Sequence, residues 1–386
     1  MSRRRTAPRI ALALAGGGPL GAVYEIGALC ALEEALEGLE FTRLDHYVGV
    51  SAGGFIAAGL ANGIGPRELC AAFVENRPGG GEVFDPAWLT APAYGEFARR
   101  IARLPALAAT AGWRATWGRK PLLQVLEGLS PMLPTGLCSN EQVHARLAQT
   151  FSLPGRSNDF RQLRSRLTLV ATELDTGRPV AFGRAGLDHV PISRAVQASC
   201  ALPGLFPPVR IDGQDFVDGA LSKTVHASVA LQEGLDLLLC VNPLVPFAAP
   251  GIARSGLAAV LSQSLRTMIH SRLALGMKHY AQAFPATDIV LLEPDPGDAE
   301  LHDANIFSYG QRRRMAEHAY QRTRAWLRAR APQLTPKLAR HGIQLRADML
   351  HEVRVLVPDD RTPRLGRAVA RLQQVLDELD HALQPS

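Results

Sequence analysis

Three consecutive glycines, Gly16, Gly17 and Gly18, end the apolar run Arg9–Ala15. A short, continuous apolar run bounded by glycine reads as a strand buried on both faces of a parallel sheet. A second short run, Tyr47–Val50, closes in Gly49-Val50-Ser51-Ala52-Gly53. Between the two, Ala22–Leu36 is rich in Ala, Leu and Glu and predicts a helix, with Pro19 placed where a first helical turn needs no N–H. Ala52–Ala61 predicts a second helix. Strand, helix, strand, helix at this spacing is an α/β pattern, and 386 residues are enough to bury a substantial core.

Each glycine-containing turn has a chemical reading. Residues without a Cβ let main-chain N–H groups approach a ligand atom closely, and such donors stabilise an oxygen that gains negative charge. The sharp turn at Ser51, flanked by Gly49, Ala52, Gly53 and Gly54, lifts a hydroxyl clear of a strand end, and the N–H of Ala52 points into a helix N-terminal pole. Alone, this GxSxG pattern arises by chance in roughly one of eight chains of this length. Its place between an apolar strand and an Ala-rich helix is what gives it weight. A rival reading exists, since Gly16, Gly18 and Gly21 also fit the dinucleotide fingerprint GxGxxG. That reading needs an acid at the end of the second strand. The nearest one, Asp45, precedes the strand, so the cofactor reading fails.

Beyond Ala61 the alternation breaks. Residues 77–150 carry Trp88, Trp113 and Trp117 between prolines and glycines, and read as a helical insertion that either packs on the sheet or caps a site. Strand character returns at Leu167–Thr172, which pairs through Asp175-Thr-Gly177 with Pro179–Phe182. Val209–Ile211 and Gln214–Val217 form a second hairpin around Asp212-Gly213. Leu235–Val241 and Asp288–Leu292 are further strand candidates, while Ser255–Phe284 and Gln311–Arg330 read as helices. Val353–Val357 predicts a last strand and Leu365–Leu383 a last helix. The expected division is a core over residues 9–245 and a helical and strand extension over 246–386 packed on it.

Charge and cysteine usage narrow the context. Five scattered cysteines, without CxxC spacing, argue against a disulfide framework or a zinc site and read as reduced thiols of a cytoplasmic protein. Met1-Ser-Arg-Arg-Arg before an apolar run superficially copies a secretory leader, but cleavage there would remove the glycines, so that reading is rejected. Between Gln311 and Arg346 lie ten Lys or Arg residues and one acid, Glu317. They read either as a solvated helix face or as a dock for anionic lipid head groups. Few aromatics accompany them, which argues against nucleic acid.

A serine hydroxyl needs a base. Only one strand precedes Ser51, which fits poorly with the Ser, acid, His order of common α/β hydrolases, and His226, His270, His279 and His302 lack a convincing context. Asp218 is the stronger candidate. It closes a hairpin strand, and Gly219 after it frees the backbone to turn. Burial among Phe206, Phe216 and Val217 would raise its pKa toward neutrality.

Gly16-Gly-Gly-Pro-Leu-Gly21, Gly49-Val-Ser-Ala-Gly53 and Asp218-Gly-Ala220 together resemble the patatin-like phospholipase family. Ala171–Gly177 and Ala198–Pro207 are similar to it as well, so the resemblance covers roughly residues 9–245. It implies a three-layer α/β/α sandwich with a mainly parallel central sheet, and lipid acyl hydrolysis by a Ser–Asp dyad without metal, cofactor or catalytic histidine. By resemblance Ser51 is the nucleophile and Asp218 the base. Gly16, Gly17, Gly18 and Ala52 line the oxyanion hole, with Gly21, Gly49, Gly53 and Gly219 supporting the turns. The substrate implied is a phospholipid, a lysophospholipid or another fatty acyl ester. Leu20 departs from the family pattern, which often has Arg or Lys before the last glycine of the first motif. With the basic stretch, Leu20 also suits a second class: a peripheral membrane-binding or regulatory protein whose patatin fold is marginally active.

Overall fold

Residues 10–14 carry no polar side chain, and a strand with no polar face is stable only when covered on both sides. In the computed structural model, which describes residues 7–77, 91–93, 135–246, 251–298, 300 and 309–357, this run is β1 (Ile10–Leu14), buried throughout at the centre of the sheet. The glycines open helix α1 (Gly18–Ala35), which passes into the two-residue strand β2 (Leu36–Glu37). Strand β3 (His46–Val50) and helix α2 (Ala52–Ala61) follow, then α3 (Pro66–Phe73) and α4 (Glu141–Phe151). Next come β4 (Arg166–Glu173), β5 (Pro179–Phe182), α5 (Ile192–Ser199), β6 (Val209–Ile211) and β7 (Gln214–Asp218). The short α6 (Ser228–Leu231) leads to β8 (Leu237–Val241), α7 (Leu257–Ala283), β9 (Asp288–Leu292) and α8 (Tyr309–Ala339). Strand β10 (Gln344–Leu345) and helix α9 (Ala347–His351) complete the described elements.

Strands β9, β8, β1, β3 and β4 run side by side and parallel. The hairpin partner β5 and the β6–β7 hairpin join β4 antiparallel, giving a mixed, mostly parallel sheet with helices on both sides. The pleat sorts β1 between two layers. Ile10, Leu12 and Leu14 pack with α1, α2, α3, α5 and α8, while Ala11 and Ala13 pack with α6 and α7. On the first side α1 and α8 approach so closely that a Cβ on Gly27 would lie 2.3 Å from the Ala316 carbonyl oxygen.

The register of β4 positions the site. Strand β5 pairs with residues 169–172 of β4 and so occupies one edge, while Val50 of β3 pairs with Val170 and Asp218 of β7 with Ala171 on the other. Parallel β3 and antiparallel β7 therefore meet end to end along one edge of β4. Their last residues face each other although 167 positions separate Ser51 from Asp218.

Some expectations need correction. Val353–Val357 is not a strand despite its alternating valines. Main-chain groups in and beside it are taken up by side chains of α8 and α3 instead: Val357 N–H donates to Glu317, Gln321 to the Arg354 carbonyl, Arg324 to the Glu352 carbonyl and Arg67 to the Leu356 carbonyl, while Val353 is 99% exposed. The strand that does form there is β10, paired antiparallel with β2. Helix α8 runs nine residues beyond Arg330, through Pro332 and Pro336. Trp88, Trp113, Trp117 and Leu365–Leu383 lie outside the described residues, as does most of the 77–150 insertion. Of that insertion, Glu141–Phe151 is helical.

Candidate active site

Ser51 sits between β3 and α2 with φ 52° and ψ −125°, a left-handed conformation that costs a non-glycine residue on the order of 1–2 kcal/mol. Two features hold it there. The first is space: a Cβ on Gly49 would lie 2.5 Å from the Gly54 Cα, and one on Gly53 would lie 2.5 Å from the Leu14 carbonyl group. The tight turn therefore admits only glycine at both places. The second is a relay, in which the Ser51 N–H donates to Ser199 Oγ at 2.8 Å and that hydroxyl donates to the Val170 carbonyl at 2.6 Å. The strand-to-helix turn is thus tied to β4, the strand that also carries β7.

The Ser51 hydroxyl donates to Asp218 Oδ2 at 2.6 Å. Asp218 Oδ1 accepts the Ala220 N–H at 2.8 Å, and its main chain is fixed by an N–H bond to the Ala201 carbonyl and by the Thr172 hydroxyl on its own carbonyl. Both Ser51 and Asp218 are buried. Burial pushes the Asp218 carboxyl up to about 6, against the opposing pull of its bonds from Ser51 and Ala220. Phe206, Phe216 and Val217 are all buried, and Phe206 lines the same cavity as Asp218. Among the described residues no imidazole is bonded to either side chain. His226 is instead bonded to Ser222 through Nε2, and burial holds its ring down at about 4.

The glycine turn stands directly above this pair. A Cβ on Gly16 would lie 3.2 Å from Ser51 Cβ and 3.0 Å from Ala220 Cβ, so a larger residue there would crowd the hydroxyl. Gly17 and Gly21 are pressed by Pro243 on the loop after β8, at 2.8 and 3.0 Å from their would-be Cβ atoms. Gly18 has φ 61° with open space around it, so it is backbone conformation that favours glycine there. Helices α1 and α2 begin at Gly18 and Ala52, beside Ser51, and the first-turn N–H groups of a helix have no intrahelical acceptor. Both helix N-termini thus border the cavity that holds the hydroxyl. Gly219 is needed for a further reason. Where β7 runs into the end of β3, its Cβ would lie 2.1 Å from the Val170 oxygen and 3.1 Å from Val50 Cγ1.

Ser51, Ala52, Asp218, Gly17 and Gly18 open into a cavity of about 470 Å³ with largely apolar walls, among them Phe55, Phe73, Leu205 and Phe206. Arg266 of α7 and Arg312 of α8 are its basic residues among those described. Leu20, where the family often has a cation, packs against the main core instead. Cys200 lies against Ser51, and burial with the nearby Asp218 charge pushes its thiol well up, so it remains protonated.

The structure places Ser51, Asp218, Gly16, Gly17, Gly18, Ala52, Gly21, Gly49, Gly53 and Gly219 in one cluster. It also adds roles the sequence did not assign. Ser199 and Thr172 fall inside stretches that carried the family resemblance, but their hydroxyls look like ordinary small-residue choices until β4 is placed. Arg266 reaches the cavity from α7, where no motif marks it, and Arg312 reaches it from the basic stretch that the sequence offered as a lipid dock.

The sequence model of the Patatin-like phospholipase family matches residues 12–231, more than half of the chain. The chain belongs to that family. Uncharacterised NTE family proteins of Mycobacterium bovis and Mycobacterium tuberculosis are each 32% identical over 108 residues, 28% of this chain and 28% of theirs. The match thus spans under a third of those relatives' length. Among solved structures, VipD from Legionella pneumophila is similar at a TM-score of 0.38 and 16% identity, over 86% of this chain and 67% of its own. The human GIVD cytosolic phospholipase A2 in complex with methyl gamma-linolenyl fluorophosphonate is similar at 0.33 and 14%, over 89% and 61%.

Proposed function

We propose that this chain is a serine acyl hydrolase that cleaves fatty acyl esters of phospholipids or lysophospholipids. The observation that carries the reading is the 2.6 Å bond from the Ser51 hydroxyl to a buried carboxylate, beside two helix N-termini. As Ser51 Oγ attacks the ester carbonyl carbon, its proton passes to Asp218 Oδ2. The carbonyl oxygen becomes an oxyanion, stabilised by main-chain N–H groups of the Gly16–Gly18 turn and Ala52, each such donor contributing about 3 kcal/mol. Collapse of this intermediate breaks the ester bond, and the proton held by Asp218 goes to the departing alcohol. A water molecule then attacks the acyl-Ser51 ester, giving its proton to Asp218. Release of the fatty acid returns that proton to Ser51.

A carboxyl raised to about 6 suits this role, being ionised near pH 7 yet a stronger base than a solvated aspartate. The apolar cavity walls fit an acyl chain, and Arg266 fits an anionic head group. The buried pair, the apolar cavity and the family membership support the same activity. Ser51→Ala and Asp218→Asn should each lower kcat on a chromogenic acyl ester by about 10³-fold or more while the thermal melt stays cooperative. Unchanged turnover in either variant would end the proposal.

A further inference from the structure

Helix α7 has an outer face unlike the rest of the surface formed by the described residues. Leu261, Met268 and Leu275 are 60%, 60% and 67% exposed, with Val260 beside them at 38%. A spacing of seven residues is close to two helical turns, so the three large side chains form one line along the helix. The 27 residues of α7 contain no Asp or Glu, while Arg266, His270, Arg272, Lys278 and His279 all lie on it. The inner face is committed to the fold, since Ile269, Leu273 and Tyr280 are buried against the sheet side. The same helix also walls the cavity, through Leu265, Arg266 and Ile269. Arg272 donates to the Leu221 and Ser222 carbonyls, on the turn that follows Asp218.

The cations of the 311–346 stretch are largely engaged within the fold. Arg312, Arg324, Arg328 and Lys337 donate to main-chain carbonyls of Phe73, Met349, Leu350 and Ile289. Arg314, Arg322 and Arg340 face Glu300, Asp298 and Asp288. The lipid dock sought there in the sequence therefore has a better candidate in α7.

We propose that the outer face of α7 is an interfacial docking surface for an anionic lipid bilayer, with Leu261, Met268 and Leu275 entering the head-group region. The inference rests on the acyl-hydrolase reading for its purpose, since it sets the cavity wall on the surface that holds the substrate. Its own support is separate: an exposed apolar line, an acid-free helix whose Arg272, Lys278 and His279 are exposed, and continuity with the cavity. A helix about 40 Å long that lies flat suits the interface plane, where apolar burial and attraction to anionic lipid act together.

The test is co-sedimentation of the full chain with vesicles of phosphatidylcholine and phosphatidylglycerol, in a Ser51→Ala background so that the lipid is not consumed. Adding Leu261→Ser, Met268→Ser and Leu275→Ser should weaken vesicle binding at least about tenfold. With Ser51 intact, the triple variant should hydrolyse a water-soluble short-chain ester within about twofold of the parent but lose about tenfold on vesicles. Parent protein that fails to sediment, or a triple variant that sediments equally, overturns the dock. A loss on the soluble ester equal to that on vesicles would make the line structural and overturns it too. Light scattering that shows a parent dimer and a monomeric triple variant would give the face to a second copy of the chain. If the parent never hydrolyses the soluble ester, the acyl-hydrolase reading fails, while sedimentation still judges the dock.

Discussion

Strand β7 has the same dipeptide at both of its ends, and the two copies do opposite things. Asp212-Gly213 precedes the strand and Asp218-Gly219 ends it. At the first, Asp212 is exposed and bonded to the exposed His189, and Asp212 and Gly213 have positive φ, 49° and 85°, as a tight hairpin turn requires. A Cβ on Gly213 would meet nothing within 4 Å. At the second, Asp218 is buried on Ser51, and its glycine is squeezed against the Val170 carbonyl. One glycine is there for a backbone angle and the other for lack of space. One carboxylate is exposed, and the other is buried against a serine hydroxyl with its pKa raised. Composition is identical, so the chemistry comes from where the strand ends.

The contrast can be broken by pH first. Activity should depend on Asp218 alone of the two: kcat/KM should fall by nearly tenfold per unit below about pH 6 as the carboxyl protonates, and Asp212→Asn should leave the profile in place. A profile flat down to pH 4 would count against the assignment. Next in size is Gly219→Ala, which puts a methyl group into the Val170 oxygen and should cost about 3 kcal/mol or more, read by denaturant unfolding.

Asp218→Asn should do the reverse to stability. A carboxyl whose folded pKa lies above its unfolded value of ~3.9 supports the fold fully only below that value, and this support is lost as pH rises through about 6. The amide has no such loss. The variant should therefore gain on the wild type by about 1–3 kcal/mol between pH 4 and pH 8 in paired thermal melts. Smallest is the hairpin end. Gly213→Ala should cost about 1 kcal/mol through its φ and leave turnover unchanged.

What the sequence made legible was what short spacing encodes. The glycine turn, the Ser51 turn and the hairpin closing at Asp218 are local signals, each visible within a few residues. The pairing of Ser51 with Asp218 depends on which edge of β4 each neighbour takes, which no local pattern records. The Ser199 relay and Arg266 of the cavity were silent for the same reason, because they act only after distant elements pack. The Val353–Val357 error has a physical lesson as well. Alternating valines predict a strand only if an edge is free to pair with them, and here side chains of α8 take up the main-chain groups first.

The central claim is that one serine is made nucleophilic by one buried carboxylate. Intact-mass and peptide analysis after reaction with a fluorophosphonate probe tests it directly, because only an activated hydroxyl is phosphonylated. A single adduct on Ser51 that forms at least about 100-fold more slowly in Asp218→Asn is the predicted result. An adduct on another residue, or equal labelling rates in the two proteins, would contradict it.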